Sequence, residues 1–232
     1  MKNLIIITFT ALSFTLASCV PHNIAPVTDT GDTPDPNTYM PVHKGCTWTY
    51  YFYMRGKTDV VNNPTVGTKT VTMTGDTINQ GGIRYYKASA VTSSYTNTIS
   101  FAHVGPLYFI NDDDTNTLLA SAINAFPCLN ESQTAHSPTN LIVNPAPGST
   151  DPSLKYIIGD ITTKNISTLL NGLAYDNVIS VTNNSVVNTS GPTQDWDMIE
   201  YKFAKGVGLI SMVVYHHNTR LLEITLIKYT IK

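Results

Sequence analysis

Charge is scarce in this chain. Asp, Glu, Lys and Arg make up 13% of its 232 residues, about half the share of an ordinary soluble domain. With 14 Lys and Arg against 16 Asp and Glu, the formal net charge is −2. That balance argues against an electrostatic nucleic-acid binder, which must neutralise several phosphates. Long apolar runs are as few: after Leu4–Leu16, no stretch approaches the length of a membrane-crossing helix. Catalytic signatures are missing too. The chain has no Gly-x-Ser-x-Gly elbow, P-loop, dinucleotide-binding glycine fingerprint or His-Glu-x-x-His helix. It also has no repeat of fixed period, which argues against propellers and solenoids.

What the chain does have begins at its start. Met1-Lys2-Asn3 supplies a charged opening, Leu4–Leu16 a short core of apolar and hydroxyl residues, and Leu16-Ala17-Ser18-Cys19 a small-residue boundary. That layout predicts a secretory signal peptide over residues 1–18. The Leu-Ala-Ser-Cys ending resembles the lipobox of bacterial lipoproteins. The resemblance implies cleavage before Cys19 and acylation of its thiol, palmitate being a typical chain, so that the protein is anchored to a membrane without crossing it. The expected location is the bacterial cell envelope. Val20 and Pro21 place no acid directly beside Cys19, which points to the outer membrane. Residues 19–38 then read as a flexible tether. Val20–Asn37 holds four prolines and almost no bulky apolar side chains, too little to repay the entropy of folding. The other two cysteines, Cys46 and Cys128, either pair in an oxidising compartment or stay as buried thiols. Sequence alone does not place their Cα atoms within bonding range.

Residues 39–232 are expected to form a single β-rich domain, since apolar residues reach 42% and Thr and Asn take the places left by charge. Trp48, Tyr50 and Phe52 alternate with Thr49, Tyr51 and Tyr53, a strand with an aromatic face. Thr68–Thr74 alternates likewise. Asn79-Gln80-Gly81-Gly82 is a turn, with Ile83–Val91 as the returning strand of a hairpin. Further strands are expected at Ser94–Ala102, Pro106–Ile110, Tyr156–Ile161, Ile166–Leu170 and Val178–Val187. A closing meander should run through Met198–Phe203, Leu209–His216 and Leu221–Ile231. Asn111–Asp114 reads as a polar turn, Thr117–Phe126 as a short helix stopped by Pro127, and Pro138–Pro152 as loop.

Three segments in this order resemble uncharacterised envelope lipoproteins of Bacteroidetes-type bacteria. They are Tyr39-Met40-Pro41 with Gly45-Cys46-Thr47-Trp48-Thr49-Tyr50, then Gly172–Val181, then Tyr201–Ile210 with its Gly206-Val207-Gly208. The resemblance spans most of the chain after the tether. It implies a curved antiparallel sheet or half-barrel, related to lipoprotein carrier proteins, with one or two short helices, and it implies no activity. The chain departs from the pattern in the stretch from Asp112 to Pro152 and at Cys46. Taken alone, the motif glycines read as turn and close-approach positions and Trp48 as a filler of the sheet's hollow.

His22, His43, His103 and His136 are isolated, and the adjacent His216 and His217 point to opposite faces of a strand, so no metal is expected. Asn111–Asn116 lacks the spaced acids and distal Glu of a calcium loop. Asp195, Asp197 and Glu200 around Trp196 do not face one another as a glycosidase pair does. Asp76-Thr77-Ile78 is a short match to a glycosylation acceptor. The expectation is therefore a non-catalytic protein without cofactor. It binds or scaffolds an unknown protein, glycan or lipid, using a surface drawn from tyrosines that include Tyr50, Tyr51, Tyr53, Tyr85, Tyr86 and Tyr95. The alternative is a carrier or chaperone holding a lipid or lipoprotein in an apolar hollow.

Overall fold

The computed structural model describes residues 37–55, 64–80, 82–112, 126–137, 139–141, 154–187, 196–216 and 219–232. These residues hold twelve strands and no helix. The strands are β1 (Thr47–Met54), β2 (Thr65–Gln80), β3 (Ile83–Val91), β4 (Thr96–Val104), β5 (Leu107–Asp112), β6 (Phe126–Asn130), β7 (Thr139–Leu141), β8 (Leu154–Leu170), β9 (Leu173–Val187), β10 (Trp196–Ala204), β11 (Gly208–His216) and β12 (Thr219–Thr230). They form one sheet in the order β6-β5-β4-β3-β2-β1-β12-β11-β10-β9-β8-β7. Every neighbouring pair is antiparallel.

That order is a simple up-and-down path cut open between β6 and β7, two strands adjacent in the chain. Their connection draws the edges together. The His136 N–H donates to the Ile161 carbonyl at 2.9 Å, Gln133 Nε2 to the Gly159 carbonyl at 3.0 Å, and Lys164 Nζ to the Glu131 carbonyl at 2.6 Å. The sheet therefore curls into a nearly closed barrel, in keeping with the curved sheet that the motifs imply. Closure of this kind covers the backbone groups that an open edge would expose.

Strand periodicity decides what fills it. Trp48, Tyr50 and Phe52 are buried while Tyr51 is exposed, as side chains on alternate faces require. Val71 and Met73 of β2, Tyr201 and Phe203 of β10, Ile210 and Met212 of β11, and Leu222, Ile224 and Leu226 of β12 join them in one core. Trp48 packs within it and donates from Nε1 to the Val207 carbonyl at 2.7 Å. Gly208 lies beside it at φ +102°, and a Cβ there would stand 3.3 Å from Pro41 Cδ.

Several expectations are corrected. Ile83–Val91 does return from β2, through a two-residue connection. However, Asn111 and Asp112 belong to β5, and part of the expected 138–152 loop is β7. The strands expected at Tyr156–Ile161 and Ile166–Leu170 are one strand, β8. The polar Thr162-Thr163-Lys164-Asn165 run between them is absorbed by bulges, with Asn165 at φ +57°. The expected helix at Thr117–Phe126 lies outside the described residues except for Phe126, which opens β6. The signal peptide, Cys19 and nearly all of the tether also lie outside them.

Candidate functional site

Large side chains crowd one part of the barrel interior. Met40, Pro41, Trp48, Tyr50, Met73 and Gly208 line a cavity of about 20 Å³, space for a single water. Ligand pockets run to roughly 300–1,000 Å³. The segment after the tether forms part of this packing. The Thr38 carbonyl accepts from the Gly206 N–H at 2.7 Å, and Tyr39 and Met40 are buried. The Tyr39 ring meets Tyr108 edge-on at 6.3 Å. Tyr108 donates to Glu131 Oε2 at 3.0 Å and stacks on His103 at 4.4 Å. Burial pushes the Tyr108 hydroxyl up to about 12, against a downward pull from its bonds to Thr38 and the Tyr39 N–H.

The six tyrosines expected at the surface divide. Tyr50 and Tyr85 are buried. Tyr50 donates to the Leu209 carbonyl at 3.0 Å, and its hydroxyl is pushed up, first by burial and then by neighbouring Tyr175. Tyr86 and Tyr95 are half-buried against the core, Tyr95 lying edge-on to Phe52. Only Tyr51 and Tyr53, which alternate with the buried residues of β1, take the outer face.

There they meet residues that sequence reasoning missed. In register, Tyr51 lies opposite Thr225 and Tyr53 opposite Glu223, while Tyr215 lies opposite Arg220. The Arg220 guanidinium sits 4.6 Å above the Tyr53 ring centre, within range for a cation–π contact, and forms an ion pair with Glu223. Thr225 Oγ1 donates to Glu223 Oε1 at 3.3 Å. Partial burial raises the Tyr215 hydroxyl; the Glu200 carboxylate adds to this and Arg220 opposes it. The outcome is a strip across β1, β12 and β11 with aromatic faces, one cation held over a ring, and carboxylates beside it. Such surfaces offer rigid apolar area with polar tips, suited to stacking and hydrogen bonding. The parity of β11 and β12 was the available signal, since Tyr215 and Glu223 alternate with buried Val214, Leu222 and Ile224.

Among the described residues, the remaining candidates do not assemble into a site. Cys46 and Cys128 are buried free cysteines. Cys128 Sγ donates to the Tyr108 carbonyl at 3.2 Å, and Cys46 Sγ lies 3.8 Å from the Lys232 carbonyl. Burial pushes the Cys128 thiol far up, which removes its thiolate character. His103 is stacked, His136 is exposed at φ +59°, and His216 is half-buried. Among the described residues, no three His, Cys, Asp or Glu side chains are grouped to hold a metal. Asp76, Thr77 and Ile78 are exposed on β2 beside a bulge. His22, Asp195 and His217 lie outside the described residues, as do the side chains of Asp112, Trp196 and Asp197.

No family model matches the chain, and no curated protein matches it in sequence. Two solved structures are similar. One is a candidate lipoprotein from Parabacteroides distasonis, at 12% identity and a TM-score of 0.45, covering 84% of this chain and all of that one. The other is a candidate exported protein with a YmcC-like fold from Bacteroides fragilis, at 9% identity and a TM-score of 0.43, covering 86% of this chain and all of that one. The likeness is one of overall outline.

Proposed function

We propose that this chain is a non-catalytic binding protein of the bacterial cell envelope. It is held at the outer membrane by acylated Cys19 and engages an extended glycan or peptide through the outer strip of Tyr51, Tyr53, Tyr215 and Arg220. The observation that carries this reading is Arg220 poised 4.6 Å over Tyr53, with Tyr51 37% exposed beside it. Exposed aromatic faces beside a cation that is already stacked and ion-paired offer a ligand rigid area with polar tips.

The test uses the chain from Val20 onward on glycan and peptide arrays. That chain keeps every core residue, the first being Tyr39. Binding should be measurable and should weaken about tenfold in a Tyr51→Ser/Arg220→Ala double variant. Equal binding by wild type and variant overturns the strip. Separately, mass spectrometry of native material should find an acyl chain on residue 19.

A further inference from the structure

We infer that the end of the barrel from which Asn37 leaves is a contact face for a lipid bilayer carrying anionic headgroups. Antiparallel register places four features at that end: the β8–β9 tip at Asn171-Gly172, the β10–β11 turn at Lys205–Val207, the β2–β3 tip, and the last residues of β12. Thr38, the second described residue, is bonded to the β10–β11 turn there.

Among the described residues, apolar side chains protrude at this end. Leu169 is 73% exposed, and Ile78, Ile166, Ile227 and Tyr229 are each about two-fifths exposed. Four of the five form one neighbourhood. Asn171 Nδ2 donates to the Leu226 carbonyl at 2.9 Å, holding the tip that carries Ile166 and Leu169 against β12. The Tyr175 and Tyr229 rings lie 6.4 Å apart across the same junction. Lys44, Arg84, Lys205, Lys228 and Lys232 are exposed at this end, against the exposed carboxylates of Asp76 and Asp176, that of the last residue, and the half-buried one of Glu131. In a chain of net charge −2, such an excess of cations around an apolar tip is a local arrangement. Apolar tips that enter the interface and lysines that meet anionic headgroups are together what surface-bound proteins use.

The tether fits this orientation, a point that rests on the anchor proposed above. Asn37 is 18 residues on from Cys19, a span of about 60 Å if fully extended and about 23 Å as a flexible coil. A lipid on Cys19 would hold this end nearest the bilayer, and one acyl chain plus a basic patch gives firmer attachment than either alone. The tyrosine strip would then face away, because Tyr53 and Arg220 lie toward the opposite end of β1 and β12.

Flotation of the unacylated chain from Val20 with vesicles tests the surface without the anchor. Vesicles of phosphatidylcholine with about a third phosphatidylglycerol should carry several times more protein than pure phosphatidylcholine, and the difference should shrink at high salt. Leu169→Glu/Lys228→Glu should cut binding about tenfold, and Lys205→Glu should weaken it less. Val66→Glu, on an exposed position toward the other end of β2, and the Tyr51→Ser/Arg220→Ala variant should float like wild type. Equal flotation on both vesicle types, or no effect of Leu169→Glu/Lys228→Glu, overturns the inference. So does a dimer in sedimentation that Leu169→Glu dissociates while wild type ignores vesicles, since a second copy would then cover the tip.

Discussion

Trp48 shows how one side chain ties distant parts of this molecule together. Its ring fills the barrel beside Pro41 and Gly208, and its Nε1 bonds a carbonyl 159 residues away, that of Val207. Trp48→Phe keeps most of the apolar contact but removes the donor and leaves that carbonyl facing a small void. The expected loss is about 1–3 kcal/mol, read as a lower guanidinium midpoint with an unchanged slope. Gly208→Ala attacks the same packing from the other side, setting a methyl against Pro41 and forcing a left-handed backbone. If both variants unfold at the wild-type midpoint, the Trp48–Val207 junction is not what closes this part of the core.

Among the elements, the β8–β9 hairpin is the most closely specified. Asn171 and Gly172 sit at φ +50° and +78°, the pair of left-handed residues that a two-residue hairpin favours. Asn171 does a second task by bonding the Leu226 carbonyl. The two roles separate by substitution. Asn171→Gly keeps the turn and loses the bond, about 1 kcal/mol; Asn171→Ala loses the bond and also strains the backbone by about 1–2 kcal/mol more. Denaturant unfolding should rank wild type above Asn171→Gly above Asn171→Ala, and a tie between the two variants would mean that the backbone there relaxes freely. Asn-Gly turns of this kind are legible in sequence because only a few residue types tolerate the angles. Alternating strands such as β1 are legible for a similar reason, since burial on one face leaves a period of two. What hid was everything that breaks that period. The bulge at Thr74–Asp76 resets which residues of β2 and β3 face inward, so Tyr85 and Tyr86 could not be sorted by counting. Asn165 carries β8 through a polar run that reads as an ending. Arg220 reached Tyr53 only through a pairing across β1 and β12, strands near opposite ends of the chain.

At the scale of the whole molecule, the barrel stores its tyrosines as neutral groups. The hydroxyls of Tyr39, Tyr50, Tyr85, Tyr108 and Tyr175 are all raised above their ordinary value, burial being the first cause in each. The unfolded chain exposes the same tyrosines, which lose their protons near pH 10. Between that pH and the folded value of about 12 for Tyr108, the unfolded state holds fewer protons than the folded one, so stability falls as pH rises. The contribution is intact below pH 10 and is lost progressively above it. Melting temperature should therefore stay flat through roughly pH 9.5 and then decline steeply toward pH 12. Absorbance at the phenolate band should show the buried group ionising only as the barrel opens. A melting temperature that holds steady to pH 12, or a single phenolate titration near 10 in protein that is still folded, would mean that water reaches the interior. The filled core would then have to be replaced by an open, hydrated hollow, and the carrier reading would regain its ground.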